Sequence, residues 1–145
     1  MQDTLLTDVA ARFGTPTYVY DLDEVERRLA QLQAAFPFAE LRYAVKANAN
    51  GSLLRHLAGL GVGAEALTHG ELERALRAGF RPERIVLGGP GHTEALARRA
   101  AEARVSLVSL DSESAWAVWR RVHAPHTRFL VRLNPGFDPH THEHL

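Results

Sequence analysis

All but one of the 17 basic residues in this 145-residue chain are arginine, and the exception is Lys46. It closes the apolar run LRYAVKA at 41–47. Arginine serves as well as lysine on a solvated surface, but a guanidinium cannot act as an amine nucleophile. A lysine shielded from water can lose its proton and form an imine with a carbonyl compound. The end of a buried strand is also where parallel α/β folds place their ligands. A lysine with a buried stem and an ion-paired head would give the same pattern, and residue type and position alone leave both readings open.

Two further runs have residues of chemical interest. His140, His142 and His144 alternate in HTHEH, and imidazole is a common transition-metal ligand. An alternating tail of this kind reads as a solvated loop, so no metal site is assigned. GGPGH at 88–92 is glycine-rich ahead of a helical pattern but lacks the Lys-Ser/Thr ending of a phosphate loop, and it reads as a tight strand-to-helix turn.

Composition narrows the classes. Acidic and basic residues are equal at 17 each, so no charge excess draws the chain to nucleic acid or to an acidic membrane. Cysteine is absent, which excludes disulfides, thiolate metal sites and cysteine nucleophiles. No apolar run approaches the roughly 20 residues of a membrane span, and the first residues do not read as a secretion signal. A cytoplasmic protein is the expectation.

The elements that would position Lys46 repeat regularly. LRYAVKA, VGAEAL, RIVLGG, VSLVSLD and RFLVRLN are short apolar runs bounded by turn or polar residues, the mark of buried strands. Between them SLLRHLAGLG, GELERALRAGF, TEALARRAAEA and SESAWAVWRRVH place apolar residues three and four apart, the mark of helices with one buried face. Thr68 and Glu71 have capping-box spacing, and Gly61 and Gly79 stand where a helix end needs a left-handed residue. Strands separated by single helices must pair in parallel. Periodicity alone does not decide between an open sheet and part of a barrel. Ahead of these, Leu5, Leu6, Val9 and Phe13 suggest an amphipathic helix, TPTYVYD is strand-like, and LDEVERRLAQLQAAF is helical.

The run Tyr43-Ala44-Val45-Lys46-Ala47-Asn48 resembles the YAVKAN motif of the alanine-racemase-like decarboxylases, in which that lysine carries pyridoxal phosphate. GTPTYVYDLDEV at 14–25, GVGAEALTHGEL at 61–72 and PERIVLGGPG at 82–91 resemble other family segments in family order. LVRLNPGFDPHTHEHL at 130–145 resembles a stretch that diaminopimelate decarboxylases carry after their fifth strand. The resemblance implies an α/β chain forming an incomplete (β/α)8 barrel of about five strands. It implies also that residues 1–24, with an N-terminal strand, belong to the family's separate β domain and residues 25–145 to the barrel.

It implies further that Lys46 holds the cofactor, partly desolvated by barrel-interior side chains. Arg132 corresponds to an arginine near the cofactor ring in relatives, and Glu65 stands where many relatives have Asp beside the cofactor lysine. His69 and Pro90 differ from many relatives and receive no role, and Asn48 reads as a turn former. The implied reaction is decarboxylation of meso-2,6-diaminopimelate to L-lysine by a homodimer with an amino-acid substrate and no nucleic-acid or membrane partner. Family segments that would complete such a site follow residue 145, so the expectation is an N-terminal portion inactive by itself. Another decarboxylase or racemase of the fold, acting on ornithine, carboxynorspermidine or alanine, and a non-catalytic association module remain alternatives.

Overall fold

The computed structural model of the chain describes residues 3–133 and 136, and they form two compact units, Met1–Ala39 and Glu40–Leu145. The first unit holds helix α1 (Asp3–Phe13) and helix α2 (Leu22–Ala35). Asp21 caps α2 by accepting from the Glu24 amide, and Glu24 pairs in turn with Arg27 and Arg28 one turn on. The strand-like run at 16–21 is not a strand. Among the described residues no ladder includes it, and an extended segment without a ladder partner leaves Tyr18 at 91% exposure.

The second unit repeats strand and helix: β1 (Arg42–Ala44), α3 (Gly51–Gly59), β2 (Gly63–Ala66), α4 (His69–Ala78), β3 (Ile85–Leu87), α5 (Glu94–Glu102), β4 (Leu107–Leu110), α6 (Glu113–Trp119) and β5 (Arg128–Val131). All neighbouring strands pair in parallel, and their order across the sheet is the order along the chain. Each strand is shorter than the apolar run containing it, because the ladder ends where the chain turns toward the next helix. The sheet is not closed, as the resemblance implied for part of a barrel. No described helix is long and apolar enough to cross a membrane.

Helix ends follow the sequence signals. Asn50, Thr68, Thr93 and Ser112 each accept a backbone N–H of the first turn of α3, α4, α5 and α6. The Glu71 carboxylate reaches back to the Leu67 amide at 2.7 Å, completing a capping box displaced by one residue. Gly61 and Gly79 take φ of 76° and 92°. After α5 the same left-handed place is held by Arg104, at φ 63°, a conformation that disfavours a Cβ.

Strand register sorts the sheet into two faces. Parallel partners share a face, so Ala64, Ala66, Ile85, Leu87, Val108 and Leu110 lie together on one side. All six are buried, and with Leu54, Leu72, Leu96 and Trp119 of the helices they make the core. The opposite side carries Ala44, Glu65, Val86, Leu107 and Ser109, each only half-buried. Sequential order with right-handed crossovers puts the described crossover helices of this unit on the first face.

At the N-terminal edge of the sheet, Glu40 accepts from Arg42 at 2.6 Å and from Arg84 at 2.9 Å, and Arg84 also donates to the Gly61 carbonyl. A Cβ on Gly63 would stand 2.5 Å from the Arg84 carbonyl oxygen and 2.8 Å from Arg42 Cγ. Only glycine fits there. Between α4 and α5, Glu73 accepts from Arg99 at 2.5 Å. The Arg84 guanidinium, with Arg42 beside it, holds the Glu40 carboxyl below its ordinary range, and Arg99 does the same for Glu73. A carboxyl whose folded-state value is depressed stabilises the fold above its unfolded value, and that contribution is lost as pH falls through the folded one. The midpoint of thermal unfolding is therefore expected to drop as pH is lowered below about 4. Glu73→Gln should lower the neutral-pH midpoint and shrink the acid-side drop, checked by circular dichroism melts across pH.

Candidate functional site

Lys46 leaves β1 in a single 3-10 turn, Val45–Ala47, and not in the strand itself. The turn separates its residues by environment: Val45 is fully buried while Lys46 beside it is exposed. Parallel strands place this turn at the C-terminal edge of the sheet. The expected desolvation of Lys46 is not seen. Its strand lies at one margin of an open sheet whose crossover helices, among the described residues of the second unit, all pack on the opposite face and shut no water away from the amine.

The turn is held by bonds that the motif encodes. Tyr43 donates its hydroxyl to the Asn48 carbonyl at 3.3 Å, spanning the lysine. Asn48 Oδ1 accepts from the Asn50 amide at 2.9 Å, the turn-forming part expected of it. Asn50 Oδ1 then accepts from Ser52 and Leu53 to start α3. From α4, Arg74 Nη1 donates to the Ala49 carbonyl at 3.1 Å. Tyr43, Asn50 and Arg74 were not singled out from sequence. Asn50 carries an N-cap signal ahead of a helical pattern, whereas Arg74 lies 25 residues from its partner and leaves no local signal.

The other site candidates fall at different distances from the lysine. Glu65 pairs in register with Ala44, on the open face, so its half-buried carboxylate belongs to the strand next to the Lys46 turn. Arg132 follows β5, and its amide donates to the Leu110 carbonyl at 2.7 Å. Four strand spacings separate β1 from β5, about 19 Å measured along the sheet. The structure thus brings Lys46 and Glu65 to neighbouring strand ends and holds Arg132 at the far margin, exposed.

Arg132 also borders a groove of about 510 Å³ between β5 and α6, lined by Leu110, Trp116, Phe129 and Val131. That groove is on the helix-bearing side. GGPGH makes the connection from β3 to α5, with Gly89 at φ 83° and His92 Nδ1 accepting from Trp119 Nε1 at 3.0 Å, a packed turn as expected. His69 lies 3.9 Å from Glu73 on α4. The alternating histidines lie outside the described residues, among which no group of three or more metal-ligating side chains occurs.

The family model described as the pyridoxal binding domain of pyridoxal-dependent decarboxylases matches residues 22–145. The chain belongs to this family. It is 44% identical to the diaminopimelate decarboxylase of Deinococcus radiodurans over 140 residues, 97% of this chain and 36% of that one. It is 37% identical to that of Aquifex aeolicus, over 97% of this chain and 34% of that one. In three dimensions it is similar to the diaminopimelate decarboxylase of Helicobacter pylori, crystallised with L-lysine, at a TM-score of 0.84 and 30% identity, covering 95% of this chain and 36% of that one. The chain therefore spans about a third of the length of the curated relatives it matches, as an N-terminal portion of a family member would.

Because the Asn50 side chain accepts two first-turn amides of α3, its loss should be felt as stability. Asn50→Ala is expected to lower the unfolding free energy by about 1 kcal/mol and Asn50→Asp to retain most of it, measured by urea denaturation.

Proposed function

We propose that this chain is the cofactor-anchoring portion of a cytoplasmic, homodimeric decarboxylase that converts meso-2,6-diaminopimelate to L-lysine. The observation that carries the reading is Lys46, the one lysine of the chain, exposed in a braced turn at the C-terminal edge of a parallel sheet. The residues present suit pyridoxal phosphate: a primary amine for its aldehyde, on a turn that Tyr43, Asn48 and Arg74 hold from three sides. When bound, that cofactor supplies an electron sink for the bond broken at the substrate α-carbon.

The chain's own groups then have separate tasks. Lys46 would hold the cofactor through Nζ, and its primary amine would be the group able to accept or donate a proton at the sheet edge. Glu65, on the adjoining strand in register with Ala44, would offer a carboxylate acceptor at the neighbouring strand end. Arg132 offers a planar donor fork from the opposite margin of the sheet, suited to an anionic or ring-nitrogen acceptor once the wall curves toward it. Residues 1–24 are assigned to the β domain of the whole enzyme and 25–145 to its barrel. With the sheet open and Lys46 exposed, the 145 residues alone are assigned no turnover, since the positioning of the scissile bond needs a surrounding wall.

Diaminopimelate as substrate is supported by the names of the relatives at 44% and 37% identity and by the likeness of 130–145 to the segment those enzymes carry after the fifth strand. A chimaera in which residues 1–145 replace the matching part of the Deinococcus radiodurans relative tests the reading. It is expected to release carbon dioxide from meso-diaminopimelate in preference to ornithine, and Lys46→Ala in the same chimaera to lose at least about 10³-fold in rate. A Lys46→Ala chimaera as active as its parent would contradict the assignment.

A further inference from the structure

Several arginines of the second unit are paired with a carboxylate. Arg42 and Arg84 share Glu40, Arg98 has Glu94, and Arg99 has Glu73. Arg55 of α3 and Arg74 and Arg77 of α4 have none among the described residues, and the three line one cavity of about 190 Å³ together with Ala49, Gly51 and Ala78. No acidic side chain lines it. Arg55 donates to Ser52 Oγ at 3.1 Å and Arg74 to the Ala49 carbonyl at 3.1 Å, both neutral acceptors. Glu73, one turn before Arg77 on the helix, is turned to Arg99; Arg77 helps to hold that carboxyl low but makes no ion pair with it.

The guanidiniums converge. Arg55 Nη1 stands 3.5 Å from where a Cβ on Gly51 would be, and Arg74 Nη1 bonds to Ala49, so both reach the same short turn. Each guanidinium has five N–H donors in a fixed fork, of which one bond apiece is taken by Arg55 and Arg74 and none by Arg77. Three like charges around one concavity repel unless an anion sits among them, and a tetrahedral oxyanion accepts from several forks at once. The volume is below the roughly 300 Å³ at which pockets for drug-sized ligands begin, which suits a small ion.

We propose that Arg55, Arg74 and Arg77 form a binding site for a phosphate-class oxyanion between α3 and α4, separate from the amine of Lys46. The test is titration of the isotope-labelled 145-residue chain with inorganic phosphate at constant ionic strength, followed by amide and arginine side-chain resonances. Saturable shifts confined to residues 49–52, Arg55, Arg74 and Arg77 are expected. Arg77→Gln should weaken the apparent affinity about fivefold or more, and Arg120→Gln should leave it unchanged. Arg55→Gln serves as a second variant, and the wild-type shift map decides the question should either variant fold poorly. Glycerol phosphate binding with similar affinity would assign a phosphomonoester terminus, and its exclusion would assign the free ion. Shifts spread over the surface, affinity untouched by both substitutions, or acetate binding as tightly as phosphate would overturn the proposal.

Discussion

The sequential parallel ladder is the constraint on which the rest of the second unit depends. A parallel neighbour is reached only by crossing over the sheet, and a right-handed crossover taken each time in the same direction lays every helix on the same face. That face is accordingly apolar and closed, with Ala64, Ala66, Ile85, Leu87, Val108 and Leu110 under the helices. The other face is left to half-buried residues of mixed character, Glu65 and Ser109 among them. The same geometry gathers all strand ends of one polarity at one edge, which is how a lysine after β1 and a carboxylate on β2 come to lie side by side.

Lys46 is placed by its neighbours more than by its own contacts. Val45 is driven into the core and fixes the turn from below, while the hydroxyl of Tyr43 ties the strand to Asn48 across it. Asn48 and Asn50 pass the chain from turn to helix through successive side-chain acceptors, so the amides of Asn50, Ser52 and Leu53 find partners where α3 starts. The motif that marks the family is in this sense a folding instruction: one residue carries the chemistry, and most of the others set the backbone that presents it.

Much of this was legible in the sequence because it is written locally. The β/α rhythm, the threonine and serine caps, the left-handed glycines at 61 and 79 and the singular lysine each depend on residues a few positions apart. What was not legible depends on partners distant in the chain or on covering elements. TPTYVYD has strand composition but no ladder partner among the described residues, and the lysine expected to be desolvated is exposed because composition says nothing about what stands opposite it. Arg104 takes a left-handed conformation with no glycine to announce it, and its guanidinium meets His126 at 2.9 Å, a contact 22 residues away. The convergence of Arg55, Arg74 and Arg77 likewise exists only once α3 and α4 are side by side.

The central claim is that Lys46 is the group that takes the cofactor, and its uniqueness makes one measurement decisive. Pyridoxal phosphate is mixed with the 145-residue chain, the adduct is reduced with borohydride, and the labelled peptides are mapped by mass spectrometry. The α-amine of Met1 is the one competing primary amine. The account predicts label on the peptide containing Lys46 in excess of that on Met1, and its disappearance in Lys46→Arg with the Met1 label unchanged. Label confined to Met1 in the folded wild-type chain would contradict it.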